Sequence, residues 1–220
     1  MQDAPAENTD STGPSKRTRF VFVLFLTFLR VPLVFVFLIM ALIHSQNPRP
    51  LYFWIAFLSV IISSTTDLLD GYYARKLRVV SALGAYADPL TDKIVYLTAL
   101  PLLVFLTAAK GDTPHAIFLL IFTILFLLRD QWVSFLRSIG SMYNVSAKAN
   151  WSGKLRTAIN FPLICIIYFC YAYPKVLPGP VLTTLEVLGL VINLVSMYVY
   201  TKHYWPSLLQ SMDYDKSDQS

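Results

Sequence analysis

The chain has 220 residues, of which 55% are hydrophobic and only 14% are charged, and its formal net charge is +5. Soluble domains carry about 25% charged residues, so this composition excludes an ordinary soluble enzyme, a disordered chain and a disulfide-rich scaffold. In a membrane protein a basic balance is typical of topology and of contact with anionic lipids. We therefore expect membrane lipids, and no nucleic acid, among its partners.

The predicted elements begin with a polar lead at residues 1–15, which contains no apolar run and is expected to be disordered. Six apolar segments follow, at 20–44, 51–69, 84–108, 114–141, 155–174 and 179–204. Each has roughly the 20 residues that cross a bilayer, and lipid requires such segments to be helical. The sequence predicts an all-α polytopic membrane protein, with six transmembrane helices in one domain at 16–205 and a polar tail at 206–220.

Lysine and arginine are distributed unevenly between the two sides of these helices. Three of them, Arg49, Lys110 and Lys175, lie on one side. The termini and the second and fourth loops, on the other side, carry Lys16, Arg17, Arg19, Arg75, Lys76, Arg78, Arg137, Lys148, Lys154, Arg156, Lys202 and Lys216. Loops rich in these residues stay in the cytoplasm, so both termini are predicted to be cytoplasmic.

Two pairs of aspartates interrupt the apolar pattern where the second predicted helix ends and the third begins. Asp67 and Asp70 are three residues apart, and Asp88 and Asp92 are four apart, so each pair shares one helix face. An ionisable group in the hydrocarbon costs about 3 kcal/mol and marks a functional site. Four close carboxylates repel unless cations bridge them, and oxygen ligands without histidine or cysteine favour one or two Mg²⁺ or Mn²⁺ ions.

Small and basic residues accompany the aspartates. Gly71, Ala74 and Gly84 allow a planar group or a phosphate chain to approach the backbone. Arg75 can bind a diphosphate through a bidentate fork. The pattern predicts a site for a divalent metal, a diphosphate and a planar group at the cytoplasmic face. The alternative is that the aspartates only cap their helices or pair with basic neighbours.

The stretch from 67 to 92 resembles the signature of the CDP-alcohol phosphotransferase family, D-x2-D-G-x2-A-R-x8-G-x3-D-x3-D. All eight fixed positions match, at Asp67, Asp70, Gly71, Ala74, Arg75, Gly84, Asp88 and Asp92. The resemblance implies transfer of a phosphatidyl-type group from a CDP-linked lipid to an alcohol, with release of CMP. It also implies a six-helix bundle and, as in many members, a homodimer.

The resemblance also implies a role for each matching residue. Asp92 is expected to be the catalytic base that takes the proton of the acceptor hydroxyl, and to be able to touch a second metal ion. The expected metal ligands are Asp67, Asp70 and Asp88, and the expected CDP-lipid pocket comprises Gly71, Ala74, Arg75 and Gly84.

The acceptor must be read from the second half of the chain. Arg129, Arg137, Lys154 and Arg156 cluster on the cytoplasmic side, where a phosphorylated acceptor would need such cations. The alternatives are that these cations only follow the positive-inside rule, and that Arg129, inside an apolar run, pairs with Asp130 or with the metal-site acids.

Three shorter stretches are similar to bacterial phosphatidylglycerophosphate synthases, at 26–30, 129–137 and 151–157. This similarity implies CDP-diacylglycerol as donor, glycerol 3-phosphate as acceptor, and the bacterial cytoplasmic (inner) membrane as location. The sequence departs from their usual pattern at Leu24, Asp130 and Asn160. The main alternative is a cardiolipin synthase of the same family, with phosphatidylglycerol as acceptor, because the stretch at 87–93 is similar to a D-P-x-A-D-K motif that these enzymes also carry.

Two readings from other classes fit less well. A membrane prenyltransferase would carry its aspartate-rich motifs far apart in the chain, and a cation transporter would carry its acids near the membrane midplane in broken helices. Glu186 lies early in the sixth helix on the presumed outer side. We interpret it as a helix-start carboxylate that the helix dipole favours.

Overall fold

The computed structural model describes residues 16–76, 82–143 and 151–213. Within these ranges the description omits the side chains of residues 16–17, 19, 67–68, 70–72, 74–75, 82–86, 88, 151–157 and 213. The described residues form six helices: α1 (Lys16–Gln46), α2 (Pro50–Lys76), α3 (Ala82–Ala109), α4 (Thr113–Met142), α5 (Trp151–Ala172) and α6 (Gly179–Asp213). The predicted all-α class and the order of the six helices are confirmed.

Four of these helices contain apolar spans long enough to cross a membrane, at Phe20–Gln46, Pro89–Ala109, Thr113–Met142 and Gly179–Met212. The remaining two, α2 and α5, contain shorter apolar stretches, Pro50–Thr66 and Ala158–Ala172. Helix α2 nevertheless has 27 residues, or about 40 Å at a rise of 1.5 Å per residue. That length exceeds a hydrocarbon core of about 30 Å, so the prediction of a polytopic membrane protein is confirmed.

Short connections define the two ends of the bundle. Residues 47–49, 110–112 and 173–178 join α1 to α2, α3 to α4, and α5 to α6 at one end, which we call the opposite end. The other end, the signature end, contains the starts of α1, α3 and α5 and the last turns of α2, α4 and α6. Connections of this length make consecutive helices antiparallel neighbours.

The turn between α3 and α4 shows how the sequence enforces this reversal. Gly111 has a φ of 85°, a conformation that glycine adopts without steric cost. Asp112 caps α4, because its side chain accepts a hydrogen bond from the backbone N–H of His115 at 3.3 Å. Pro114 lies in the first turn, where its missing N–H has no helical partner to lose.

An aromatic core holds α1, α2 and α5 together. The rings of Phe53 and Tyr168 are stacked with their centroids 5.5 Å apart. Phe37 meets the Tyr168 ring edge-on at 5.0 Å, and all three residues are 0% exposed. Such aromatic pairs add stability beyond the area that they bury, so they hold these three helices together in the half of the bundle nearer the opposite end.

Helix α6 extends beyond its predicted boundary at 204 and continues to Asp213. The physical reason is a second apolar cluster between α4 and α6, which includes Tyr204 and Leu208 together with Val133 and Leu136. Burial of Leu208 in this cluster stabilises the part of the helix that lies beyond Pro206. The predicted lead at 1–15 and the tail residues after 213 lie outside the described residues.

Candidate active site

The two halves of the aspartate signature lie on the signature end of two helices. Positions 67 and 70 belong to the last three turns of α2, and positions 88 and 92 to the first three turns of α3. Both pairs therefore have the helical spacing that the sequence predicts. The side chains at the first seven signature positions, Asp67, Asp70, Gly71, Ala74, Arg75, Gly84 and Asp88, lie outside the described residues.

The eighth position, Asp92, has a described side chain, and a buried arginine contacts it. Arg30 Nη1 lies 2.5 Å from Asp92 Oδ1. The Arg30 side chain is 1% exposed, whereas that of Asp92 is 41% exposed. A buried guanidinium requires a charged or hydrogen-bonding partner, and the Asp92 carboxylate supplies one from α3. The Asp92 carboxylate therefore stays partly exposed while it contacts the buried guanidinium.

Arg30 is the last residue of the 26–30 stretch that is similar to phosphatidylglycerophosphate synthases, but that similarity gives it no role of its own. Its signal is nevertheless visible, because Arg30 lies inside the apolar run of α1 and a charge within a transmembrane helix calls for a partner. The partner could not be identified from the sequence, since 62 residues separate the two.

Arg129 faces α6 and is almost fully buried, at 3% exposure. Its Nη1 lies 3.5 Å from Asp130 Oδ1, and its Nη2 donates a hydrogen bond to Ser196 Oγ. Its Cζ lies 5.3 Å from the centroid of the Tyr200 ring. The structure shows the predicted pairing of Arg129 with Asp130, whereas the side chains of the metal-site acids Asp67, Asp70 and Asp88 lie outside the described residues.

Arg137 lies eight residues further along α4 and contacts the same ring. Its Nη2 donates a hydrogen bond of 3.0 Å to the Tyr200 hydroxyl, and its Cζ lies 5.2 Å from the ring centroid. Tyr200 is 1% exposed, so both guanidiniums contact a buried ring within the α4–α6 contact. Among the described residues, the buried Nε of Arg137 has no hydrogen-bond partner.

The two remaining predicted acceptor cations, Lys154 and Arg156, belong to the first two turns of α5. Their backbone therefore lies at the signature end, as predicted, but their side chains lie outside the described residues. Among the residues that are described, no group of three or more histidine, cysteine, aspartate or glutamate side chains could hold a metal ion. The predicted ligands Asp67, Asp70 and Asp88 are outside that set.

The structure corrects the interpretation of Glu186. It is the eighth residue of α6, beyond the first turn where the helix dipole acts, and it is 0% exposed. Its Oε1 lies 2.9 Å from His115 Nε2 on α4. The prediction of a helix-start carboxylate is wrong, because full burial makes an interhelical partner the dominant requirement.

A cavity of about 500 Å³ lies at the opposite end, and its lining includes Lys110, Asp112, His115 and Tyr171. Lys110 Nζ donates to the carbonyl oxygen of Tyr171 and lies 4.0 Å from the centroid of its ring. Partial burial lowers the pKa of Lys110. This cavity lies at the far end of the bundle from the signature.

Comparison with known proteins gives a family match over most of the chain. The model of the CDP-alcohol phosphatidyltransferase family matches residues 22–201. Three similar proteins are each named CDP-diacylglycerol–glycerol-3-phosphate 3-phosphatidyltransferase. The Treponema pallidum protein is 30% identical over 203 residues, which cover 84% of this chain and 89% of that protein.

The other two alignments are shorter. The Haemophilus influenzae protein is 30% identical over 141 residues, which cover 63% of this chain and 70% of that protein. The Bacillus subtilis protein is 37% identical over 97 residues, which cover 44% of this chain and 46% of that protein. This chain therefore spans less than half the length of the Bacillus relative that it matches.

Proposed function

Because this chain belongs to the CDP-alcohol phosphatidyltransferase family, we propose that it transfers a phosphatidyl group from CDP-diacylglycerol to glycerol 3-phosphate and releases CMP. The observation that carries the proposal is the complete signature on the adjoining ends of α2 and α3. The names of the relatives from Treponema, Haemophilus and Bacillus favour glycerol 3-phosphate as the acceptor.

The donor set of the signature fits a hard divalent cation. Four carboxylates, and no sulfur or imidazole, come from two helix ends, which suits one or two Mg²⁺ or Mn²⁺ ions. We assign the ion or ions to Asp67, Asp70, Asp88 and Asp92. When bound, the metal neutralises charge on the diphosphate and on the departing CMP.

We assign the role of general base to Asp92. Its side chain is 41% exposed, so an acceptor hydroxyl can reach it. As the acceptor oxygen forms a bond to the β-phosphorus of the CDP-lipid, Asp92 takes the hydroxyl proton. The bond between that phosphorus and the bridging oxygen breaks, and its electron pair leaves with CMP.

The remaining residues are assigned to binding. Gly71, Ala74 and Gly84 shape the CDP pocket, and Arg75 binds the diphosphate. The assigned ligands of the acceptor phosphate are Arg137, Lys154 and Arg156. Arg129 is 3% exposed and contacts Asp130, Ser196 and Tyr200, so we assign it to support of the α4–α6 contact instead of the predicted binding of the acceptor phosphate.

The positive-inside rule places the signature end at the cytoplasmic face, and the bacterial relatives favour the cytoplasmic membrane. Headgroup substrates then enter from the cytoplasm while the acyl chains remain in the bilayer. A homodimer stays a prediction from the family.

The test is CMP release by the purified protein with CDP-diacylglycerol and Mg²⁺ or Mn²⁺. Glycerol 3-phosphate, phosphatidylglycerol and inositol phosphate are compared as acceptors. We expect release with glycerol 3-phosphate and loss of release when the metal is chelated. Release with phosphatidylglycerol alone would identify a cardiolipin synthase, and no release from folded, metal-loaded protein with any acceptor would reject the proposal.

A further inference from the structure

We propose that Arg30 is a positioning residue for the transfer reaction, which holds the Asp92 carboxylate in the orientation that receives the acceptor proton. The inference rests on the proposed function, because it assigns the role of Arg30 through that of Asp92. It extends the site to α1, a helix that lies outside the signature.

The first argument is the asymmetry of the ion pair. Arg30 is buried to 1% exposure, while Asp92 is 41% exposed. The guanidinium therefore contacts the carboxylate from the protein interior, and the carboxylate keeps partial exposure beside that contact. An arginine that itself bound a substrate phosphate would need an exposed edge of its own guanidinium.

The second argument is geometric. The contact of 2.5 Å joins Arg30 Nη1 to one oxygen, Asp92 Oδ1, and charge-assisted hydrogen bonds of this kind are both strong and directional. Holding one carboxylate oxygen restricts rotation about the Cβ–Cγ bond and so restricts the position of the other oxygen. A general base must lie within about 2.6–3.2 Å of the atom whose proton it takes, and an error of about 1 Å can cost 10²-fold in rate.

The third argument is the rigidity of the surroundings. On α1, the residues three before and four after Arg30 are also buried: Thr27 is 1% exposed and Val34 is 0% exposed. On α3, Asp92 lies between Thr91 at 0% and Val95 at 2%. Both helices are therefore tightly packed around the pair, as a preorganised catalytic group requires.

The experiment compares Arg30→Met and Arg30→Lys with the wild type. We expect Arg30→Met to lower kcat by roughly 10- to 100-fold, with the KM for each substrate within about twofold of the wild type. Arg30→Lys keeps the charge but lacks the planar fork, so it should recover part of kcat. Thermal unfolding in detergent is measured for each variant.

The matched control is Glu186→Gln, which changes the other buried pair, at the opposite end of the bundle. It should lower the unfolding temperature and leave kcat unchanged. If Arg30→Met and Glu186→Gln lose turnover in proportion to stability, the role of Arg30 is only structural and the inference is wrong. If Arg30→Met does not fold, the Arg30→Lys variant alone decides between a selective loss of kcat and a general loss.

Two further outcomes separate this inference from the proposed function. A raised KM for glycerol 3-phosphate with normal kcat in Arg30→Lys would show that Arg30 binds the acceptor directly, and would overturn the positioning role. An active wild type with fully active Arg30 variants would overturn the inference alone. A wild type that releases no CMP with any acceptor would instead reject the proposed function.

Discussion

The signature end and the opposite end of the bundle each contain a polar pair between two helices. The buried member is the cation in one pair and the carboxylate in the other. In the Arg30–Asp92 pair the cation is buried and the carboxylate is 41% exposed. In the His115–Glu186 pair the carboxylate is 0% exposed and the histidine 24% exposed. Both obey the requirement that a buried charge has a partner, yet of these two pairs only the first has a partly exposed carboxylate.

The comparison shows that a position inside an apolar helix does not by itself mark an acid as a candidate for catalysis. Asp92 and Glu186 both interrupt apolar helices, and both would be functional candidates on that ground. Their difference lies in which member of the pair faces outward. Substitutions at the two ends should therefore separate turnover from stability.

The largest effect is expected from Asp92→Asn. The amide cannot take the acceptor proton, so CMP release should fall by about 10²–10⁴-fold while CDP-diacylglycerol binding is largely retained. Steady-state CMP release and equilibrium binding of CDP-diacylglycerol measure the two effects. Near-normal turnover in this variant would remove Asp92 from the base role and would break the distinction between the two ends.

The α4–α6 contact at the signature end provides the second test. A Cβ at Gly140 would meet ring atoms of the buried Tyr204, so Gly140→Ala should destabilise the protein by about 1–3 kcal/mol. Gly179→Ala is the matched control, because a Cβ there meets nothing within 4 Å. Thermal unfolding in detergent measures both variants, and equal unfolding temperatures would show that the contact is looser than the structure indicates.

A smaller and more selective effect is expected from Arg137→Ala. If Arg137 binds the acceptor phosphate, its loss should raise the KM for glycerol 3-phosphate by about tenfold and leave that for CDP-diacylglycerol nearly unchanged. Tyr200→Phe removes the hydroxyl that Arg137 contacts at 3.0 Å but keeps the ring, so it should cause a milder change in the same direction. An equal rise of both KM values would indicate that Arg137 only supports the α4–α6 contact.

The number, order and class of the helices could be predicted from the sequence, because hydrophobic length and the demand for internal backbone hydrogen bonds determine them locally. The end of α6 could not, since the turn after 204 is stabilised by contacts of Tyr204 and Leu208 with α4. The sequence of a polar tail resembles that of an amphipathic helix end, and only the position of the partner helix distinguishes the two.

The candidate site also has features that could be predicted from the sequence and features that could not. The spacing of the four aspartates could be predicted because it is local to α2 and α3. The partners of Arg30 and Glu186 could not, because 62 and 71 residues separate the members of these pairs. A single sequence shows that a buried charge needs a partner but does not say which residue supplies it.

The smallest effect is expected at the opposite end, from Glu186→Gln. The amide can still hydrogen-bond to His115, but it lacks the charge that strengthens the 2.9 Å contact, so the loss of stability should be about 1 kcal/mol. His115→Gln should cost a similar amount, and the double variant should cost less than the two single losses together, because both remove the same interaction. Unfolding temperatures measure this coupling, and CMP release should stay within about twofold of the wild type in all three. A loss of turnover approaching that of Asp92→Asn would show that the His115–Glu186 pair also controls the signature end.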